Sequence, residues 1–219
     1  MNQGELDSGP IYNPGAAYQS RVGDIRFKDV SGPDGKPDGI VNTFDRTIMG
    51  SPYPDYYYGM TNRFGYKNFS LSVNIQSSQG NMVFSNSDSY LYTRARYKQL
   101  SIVKDYWISE DKPGDGVSPR PNNNPTGGVR QKSTRYLDTG SYFRINNINL
   151  SYSFAGPIVQ KLSLSSLRVY VTATNPFLST KYNFFNPEVS NSSNPLTPGI
   201  NNYDYPVAKS IMMGLNLSF

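Results

Sequence analysis

Five segments of 10 to 14 residues alternate apolar and polar side chains with a period of two, and this pattern constrains the fold most. Such alternation is typical of β-strands that have one apolar face. Helical periodicity is scarce, and only residues 89–107 predict a helix. The sequence therefore predicts an all-β chain with antiparallel strands over residues 55–65, 68–77, 141–154, 166–175 and 206–219.

Alternation alone does not separate a soluble β-sandwich from a membrane β-barrel, but three further features favour the barrel. The predicted strands are long, since ordinary strands have about 5–6 residues and about 9–11 tilted residues cross a bilayer. Their polar faces carry Ser, Asn, Thr, Gln and Gly rather than Lys and Glu, which suits a hydrated lumen. Aromatic residues such as Tyr56, Tyr66, Phe154 and Phe219 lie near strand ends, as in the aromatic girdles of membrane barrels.

The connections between the predicted strands alternate in length. Residues 65–67 and 155–165 make short connections, whereas residues 78–140 and 176–205 are long and rich in Gly, Pro, Asn and Ser. Outer-membrane barrels have short periplasmic turns and long extracellular loops, so this order fits such a barrel. Because the smallest of these barrels have about 8 strands, five strands predict a fragment that does not close a barrel by itself.

This interpretation divides the chain into two parts. Residues 1–54 are predicted to be an extracellular loop region, and residues 55–219 a barrel segment with about five strands. No basic segment followed by an apolar stretch opens the sequence, so no signal peptide is expected within it.

Composition excludes several classes of function. The chain has no Cys and no His, which removes disulfides, thiolate nucleophiles, histidine metal sites and Ser-His-Asp triads. Its 21 Lys and Arg residues against 16 Asp and Glu are scattered singly, so no nucleic-acid partner is expected. No motif supports a catalytic carboxylate pair, and we do not expect an enzyme.

Several motifs, taken in order, are similar to a known family. The sequence resembles the distal barrel of SusC/RagA-type TonB-dependent outer-membrane transporters. The matching motifs are GDIRFKDV (23–30), DRTIMG (45–50), PYPDYYYG (52–59), SYFRINNINLSYSF (141–154), LRVYVTATNPF (167–177), NPEV (186–189) and GLNLSF (214–219).

This resemblance implies a large barrel of about 22 strands with a plug in its lumen. It implies import of glycans or peptides across the outer membrane of a Gram-negative bacterium, driven by the TonB complex through N-terminal regions absent from this sequence. A SusD-like surface lipoprotein is the implied partner, and outer-membrane lipid the surroundings. Two alternatives stay open: a non-transport outer-membrane barrel or adhesin, and a soluble carbohydrate-binding β-sandwich module.

The last predicted strand ends in an alternating apolar pattern with a terminal aromatic residue. This pattern resembles the signal by which the barrel-assembly machinery recognises its clients. An unpaired edge strand offers main-chain groups for strand addition, and its alternate side chains set the register. The alternative is simply the last strand of a soluble sheet. The predicted signal consists of Ile211, Met213, Leu215, Leu217 and Phe219.

An acidic loop over residues 34–45 resembles a calcium-binding loop in part. Calcium loops of the EF-hand type place oxygen ligands at positions 1, 3, 5, 9 and 12. Counted from Asp34, this pattern places Asp38, Asn42 and Asp45 at positions 5, 9 and 12, but Lys36 at position 3 opposes a cation. The loop is therefore either a calcium site or an Asp/Gly turn ordered by its own side chains. No other cofactor is predicted.

Two further groups are candidates for contact with a transported ligand. By alternation, Arg63, Arg168 and Tyr170 should face the lumen of the barrel or its plug. Aromatic residues in the long loops can stack on sugar rings, but for any single residue loop packing, a girdle position or a partner contact is the preferred interpretation. The loop candidates are Tyr90, Trp107, Phe184 and Tyr203.

Overall fold

The computed structural model describes residues 2–12, 14, 19–91, 101, 104–121, 132–189 and 196–219. The chain forms two compact units. The first consists of residues 1–49 and 85–137, and the second of residues 50–84 and 138–219. No helix in the described ranges is both long enough and apolar enough to cross a membrane.

Strands dominate the described secondary structure, and the helices are short. The helices are α1 (Gln3–Ser8), α2 (Asn86–Leu91) and α3 (Pro157–Lys161), with single 3₁₀ turns at Thr43–Asp45 and Thr134–Tyr136. The strands are β1 (Ile11–Tyr12), β2 (Ile40–Val41), β3 (Tyr56–Tyr66), β4 (Phe69–Gln79), β5 (Met82–Ser85), β6 (Leu137–Thr139), β7 (Tyr142–Phe154), β8 (Ser166–Thr180), β9 (Ile200–Asn201) and β10 (Ser210–Ser218).

The second unit is built on a five-stranded antiparallel sheet with the order β10-β8-β7-β4-β3. The five strands fall on the five alternating segments of the sequence, although β8 runs to Thr180 beyond the predicted end at 175 and β10 begins at Ser210, after the predicted start at 206. Their lengths are 9, 15, 13, 11 and 11 residues. The all-β prediction is therefore confirmed. Lengths of this kind, well above the ordinary 5–6 residues, are those of strands that cross a bilayer.

The short connections of this sheet lie at one end and the long ones at the other. Phe69 pairs with both Tyr66 and Tyr152, so the β3–β4 turn and the exit of β7 lie together. Lys67 in that turn adopts a left-handed φ of 51°. The β7–β8 connection contains α3 and lies at the same end of the strands, because Phe154 pairs with Leu167.

The two faces of the sheet differ in chemistry, as the alternation predicted. Cross-strand pairs such as Phe64 with Leu71 and Val73 with Ile148 place apolar side chains on one face. That face is not covered by other described residues: Phe64 is 59 % exposed and Met213 76 %. In the described part of the chain, the buried apolar residues are instead Val41, Val83, Tyr136, Tyr142, Val159 and Tyr182.

A β-bulge interrupts the alternation of β7. Asn74 of β4 pairs with Asn147, but the next residue, Ile75, pairs with Ile145, so Asn146 is the extra residue. A bulge leaves one residue unpaired and shifts the facing of all residues beyond it. Arg144 therefore shares the polar face with Asn147, a placement that strict alternation along the strand does not give.

The smaller sheets are short. Strands β1 and β2 pair in parallel in the first unit, and β5 lies between β6 and β9 in a three-stranded sheet. Val83 and Asn201 in that sheet are almost fully buried.

Most of the helix predicted over residues 89–107 lies outside the described residues. Residues 92–100, 102 and 103 lie outside the described residues, and α2 covers Asn86–Leu91. Lys104–Trp107 are not helical, so the predicted end of the helix is wrong.

Glycine is required at position 214 by a cross-strand contact. Gly214 pairs with Tyr170, and a Cβ placed on Gly214 would overlap the Tyr170 ring. The ring therefore lies over the glycine backbone, an arrangement that protects a glycine in an edge strand.

We expect Gly214→Ala to destabilise the sheet by about 1–3 kcal/mol, because the Tyr170 ring must move away. Thermal unfolding of the detergent-solubilised protein, followed by circular dichroism, measures this effect. Gly65→Ala is the matched control, since no atom lies within 4 Å of a Cβ at that strand position. Tyr170→Ala should remove most of the penalty when combined with Gly214→Ala, and equal penalties in both backgrounds would contradict the contact.

Candidate functional site

The polar face of the large sheet carries the three residues predicted to face a lumen. Arg63 lies opposite Ser72, and Arg168 lies opposite Asn216. The Arg168 Nη2 donates a hydrogen bond of 2.8 Å to Ser151 Oγ. Tyr170 covers Gly214, as described above. All three therefore lie on one face, and the identity of that face as a lumen wall stays a prediction.

Side-chain amides form a continuous hydrogen-bond network along this polar face. Asn74 Nδ2 donates to Thr61 Oγ1 at 2.8 Å, which links β4 to β3. The bulge residue Asn146 donates from its Nδ2 to Asn74 Oδ1 at 3.0 Å and to Gln76 Oε1 at 2.8 Å, which links β7 to β4. Each amide thus has a partner on the neighbouring strand, so the network stabilises the relative position of three strands.

Five residues extend this network to the segment that follows β8. Arg144 forms an ion pair with Glu188, and its Nη2 donates to Asn186 Oδ1 at 2.9 Å. Glu188 Oε1 accepts hydrogen bonds from Tyr142 Oη at 2.7 Å and from Gln76 Nε2 at 3.0 Å. We call Gln76, Tyr142, Arg144, Asn186 and Glu188 the Glu188 clamp.

The clamp fixes residues 186–188 on the polar face of the sheet. The Arg144 side chain is 5 % exposed and that of Glu188 is 32 % exposed, so the ion pair is largely removed from water. Asn186 Oδ1 also accepts from the Glu188 backbone N–H at 3.2 Å, and Pro187 between them is fully buried. Removing one member of a buried pair leaves an uncompensated charge, so loss of either Arg144 or Glu188 alone destabilises the fold.

Sequence reasoning did not single out the clamp as a site. Two signals were available: the NPEV motif at residues 186–189, and Arg144 in a strand with no other charge. The pairing itself joins residues 44 positions apart, which no local pattern reports.

The predicted assembly signal lies on the last strand of the chain. Ile211, Met213, Leu215 and Leu217 lie on the apolar face of β10, and Phe219 follows the strand with 90 % of its surface exposed. In the described ranges β10 pairs only with β8, so its other edge carries open main-chain groups. Recognition of these residues by an assembly machinery stays a prediction.

The acidic loop is ordered by its own side chains. Asp38 Oδ1 accepts from Ile40 N at 3.0 Å, and Asn42 Oδ1 accepts from Phe44 N at 2.8 Å. Asp45 accepts from the backbone N–H groups of Val30 at 2.7 Å and of Asn42 at 2.7 Å.

The hydrogen bonds from Asn42 and Val30 lower the pKa of the Asp45 carboxyl, because they stabilise its ionised form. Asp34 lies in the turn ahead of these groups. Across the described residues, no cluster of three or more Asp or Glu side chains is placed to hold a metal. Calcium binding by Asp34, Asp38, Asn42 and Asp45 stays a prediction.

The four loop aromatics occupy different surroundings. Trp107 is half-buried in the first unit, and the side chain of Tyr90 lies outside the described residues. Phe184 packs on Phe185 with ring centroids 4.4 Å apart, close to the Glu188 clamp in sequence. Tyr203 is 53 % exposed and has a left-handed φ of 67°. Contact of these residues with a ligand stays a prediction.

The chain is similar to known proteins in sequence and in fold. No protein-family profile matches the chain. TonB-dependent receptor P26 of Formosa agariphila is 29 % identical over an alignment of 226 positions. The alignment covers 100 % of this chain and 21 % of the relative. TonB-dependent receptor P39 of the same organism is 32 % identical, over 91 % of this chain and 19 % of its own length.

Two further similarities define the type of receptor. TonB-dependent receptor SusC of Bacteroides thetaiotaomicron is 28 % identical over 88 % of this chain and 19 % of its own length. The solved structure of the RagAB peptide transporter matches with a TM-score of 0.66 and 22 % identity, over 87 % of this chain and 20 % of that chain.

The chain is therefore homologous to one part of the TonB-dependent receptors, and its large sheet is a piece of such a barrel. Within that class SusC and RagAB are of the SusC/RagA type, and the similarity to them confirms the resemblance of the sequence motifs. The chain spans about a fifth of the length of the curated relatives that it matches.

We expect Glu188→Gln to destabilise the fold by roughly 3 kcal/mol, because Arg144 would keep a buried charge without its counter-ion. Release of residues 181–189 should also speed tryptic cleavage after the exposed Lys181. Limited proteolysis in detergent measures the rate.

Arg168→Gln is the matched control, since Arg168 is exposed and its hydrogen bond to Ser151 is worth about 1 kcal/mol. Cleavage after Lys181 at the wild-type rate in Glu188→Gln would show that the clamp does not hold the segment.

Proposed function

We propose that this chain forms part of the barrel wall of a TonB-dependent importer in the outer membrane of a Gram-negative bacterium. The observation that carries the proposal is the five-stranded sheet with one uncovered apolar face and one hydrogen-bonded polar face. In hydrocarbon the apolar face needs no protein cover, while every main-chain group must be paired between strands. The similarity to named TonB-dependent receptors over 88–100 % of the chain supports the same function.

The transported cargo is a glycan or a peptide in this proposal. Arg63, Arg168 and Tyr170 face the lumen and its plug, and the Glu188 clamp positions the extracellular segment after β8. RagAB is a peptide importer, which supports a peptide cargo. The resemblance of the sequence motifs to SusC/RagA-type receptors supports a glycan. A SusD-like surface lipoprotein covers the barrel in this proposal, and TonB supplies energy through regions outside this sequence.

Deleting the gene that encodes this chain should abolish TonB-dependent uptake of one class of nutrient. Growth on purified polysaccharides, or on a protein digest, as the sole carbon source measures this loss. Deleting the TonB gene should cause the same loss, and a plasmid copy of the receptor should restore growth. Two results together would refute the proposal. The deletion strain would grow unchanged on every glycan and on the peptide source, and the protein would be absent from outer-membrane fractions of the wild type.

Assembly of the barrel depends on the last strand in this proposal. Strand β10 presents an open edge and the alternating side chains of Ile211, Met213, Leu215 and Leu217, which suit pairing by strand addition. Phe219 completes the pattern as an exposed aromatic anchor.

Deleting Phe219 from the complete receptor should lower its level in the outer membrane several-fold, because the assembly machinery would lose the terminal aromatic contact. Surface labelling of intact cells, with immunoblots of membrane fractions, gives the level. Phe185→Ala is the control, since it removes a phenyl ring that is 53 % exposed from a loop. Equal surface levels for wild type and the deletion would argue against the signal.

A further inference from the structure

The long strands and short turns of the large sheet lack acidic side chains. Residues 56–79, 142–180 and 210–218 form the five long strands and their two short connections, and they contain no Asp or Glu. The acidic residues of the second unit all lie in its other segments, at Asp55, Asp138, Glu188 and Asp204. The end of the sheet with the short turns therefore has no carboxylate side chain from its own unit.

The same segments contain five cations, and two of them lie in the short turns. Arg144 is already paired at the opposite end of the strands, and Arg63 and Arg168 lie on the polar face. The other two are Lys67 in the β3–β4 turn and Lys161 in the β7–β8 connection. Neither lysine forms an ion pair in the described part of the chain. The short-turn end is therefore cationic.

The first of these lysines, Lys67, lies beside the apolar face of the sheet. Its ammonium group is 5.4 Å from the centroid of the Tyr66 ring. Tyr66 pairs with Phe69 on the apolar face, and the two residues are 71 % and 51 % exposed. A charged nitrogen at the rim of an apolar surface, next to exposed aromatic rings, is typical of a protein surface in the headgroup layer of a membrane.

The second lysine, Lys161, lies on a helix whose exposed face is apolar. Ile158 and Leu162 are both more than half exposed, whereas Val159 is buried. Positions 158, 161 and 162 are three and four residues apart, so Lys161 shares the exposed face of α3 with both aliphatic side chains. An aliphatic surface with a lysine on it suits the boundary between hydrocarbon and headgroups.

The two turns are neighbours along the rim of the sheet. The backbone N–H of Ser153, near the end of β7, donates to Asn68 O in the β3–β4 turn at 2.9 Å. The rings of Tyr152 and Phe154 pack at 4.8 Å, which extends the aromatic rim from the first turn towards α3. Because adjacent strands are about 4.8 Å apart, the two turns are separated by about 10 Å. Both lysines therefore reach the same small area of membrane surface.

We propose that the rim formed by Lys67 and Lys161 binds the phosphate of an anionic glycerophospholipid in the periplasmic leaflet of the outer membrane. A phospholipid matches both parts of the rim, because its phosphate accepts hydrogen bonds from the ammonium groups and its acyl chains cover the apolar face. The inference rests on the proposed function, since the short turns of an outer-membrane barrel face the periplasm.

The lack of carboxylates at this rim distinguishes among phospholipid headgroups. Phosphatidylethanolamine carries an ammonium group, which would meet Lys67 and Lys161 with no carboxylate side chain of these segments to bind it. Phosphatidylglycerol carries a phosphate and two hydroxyl groups, so each of its polar groups accepts a hydrogen bond from lysine. Each lysine near a membrane surface strengthens the attraction to anionic lipid about fivefold. The rim therefore prefers the glycerol headgroup.

Native mass spectrometry of the complete receptor, released from detergent in the presence of added lipid, tests this site. The probes are dioleoyl-phosphatidylglycerol, dioleoyl-phosphatidylethanolamine and lipid A. The wild-type receptor should bind phosphatidylglycerol about fivefold or more tightly than phosphatidylethanolamine. Lys67→Gln combined with Lys161→Gln should remove most of this preference, while the binding of phosphatidylethanolamine stays within about twofold of wild type.

A matched control removes two lysines from the other end of the same strands. Lys181 follows β8 and Lys209 precedes β10, and both are exposed. Lys181→Gln combined with Lys209→Gln changes the net charge equally, but it should keep the preference for phosphatidylglycerol within about twofold. Heat-modifiable migration on gels shows that each variant has a folded barrel, and the comparison of lipids on the wild-type receptor needs no variant.

The phospholipid assignment is overturned if the wild type binds both phospholipids equally or if lipid A displaces phosphatidylglycerol. It is also overturned if the variant without Lys67 and Lys161 keeps the preference, or if the control variant loses it equally. TonB-dependent uptake by the wild type would retain the proposed importer in each of these cases. Conversely, a receptor that prefers phosphatidylglycerol but supports no such uptake would refute the importer and retain the lipid contact.

Discussion

The structure depends on the uncovered apolar face of one sheet. Five long strands present rings and aliphatic side chains on this face, and no described residue packs over it. In water such a surface would drive association, because exposed apolar patches of this kind seek cover. In a bilayer the lipid tails cover it, and the pairing of main-chain groups between strands becomes the dominant requirement. The remaining features follow from this division of the sheet into two environments.

On the opposite face, hydrogen bonds between polar side chains provide the order that an apolar core provides elsewhere. Asn74, Gln76 and Asn146 satisfy one another across strands, and the Glu188 clamp ties a following segment to the same face. Amides and hydroxyls joined in this way keep the wall hydrated and rigid. The bulge at Asn146 is central, because it turns Arg144 from the lipid side to the polar side, where Glu188 neutralises it.

The sequence contains the strands but not these connections. Alternation predicts the five strands because it reports which face each residue occupies, and the structure confirms them. Alternation does not predict the bulge. The extra residue, Asn146, is recognised only from the pairing of β7 with β4. The pairing of Glu188 with Arg144, and of Arg120 with Asp24, joins positions far apart in the chain and leaves no periodic signal. Trp107 is recognisable in the sequence as the single Trp of a long loop. Its close contact with Gly23 is visible only in the structure.

Few charged side chains lie on the strands of the large sheet. In the five strands of the large sheet, the charged residues are Arg63, Arg144 and Arg168, and Glu188 neutralises the second. Such a sparse set creates only a weak field, so attraction at long range contributes little to selection. Specific contacts on this face therefore rest on hydrogen bonds and shape at short range, as in the network around Asn146.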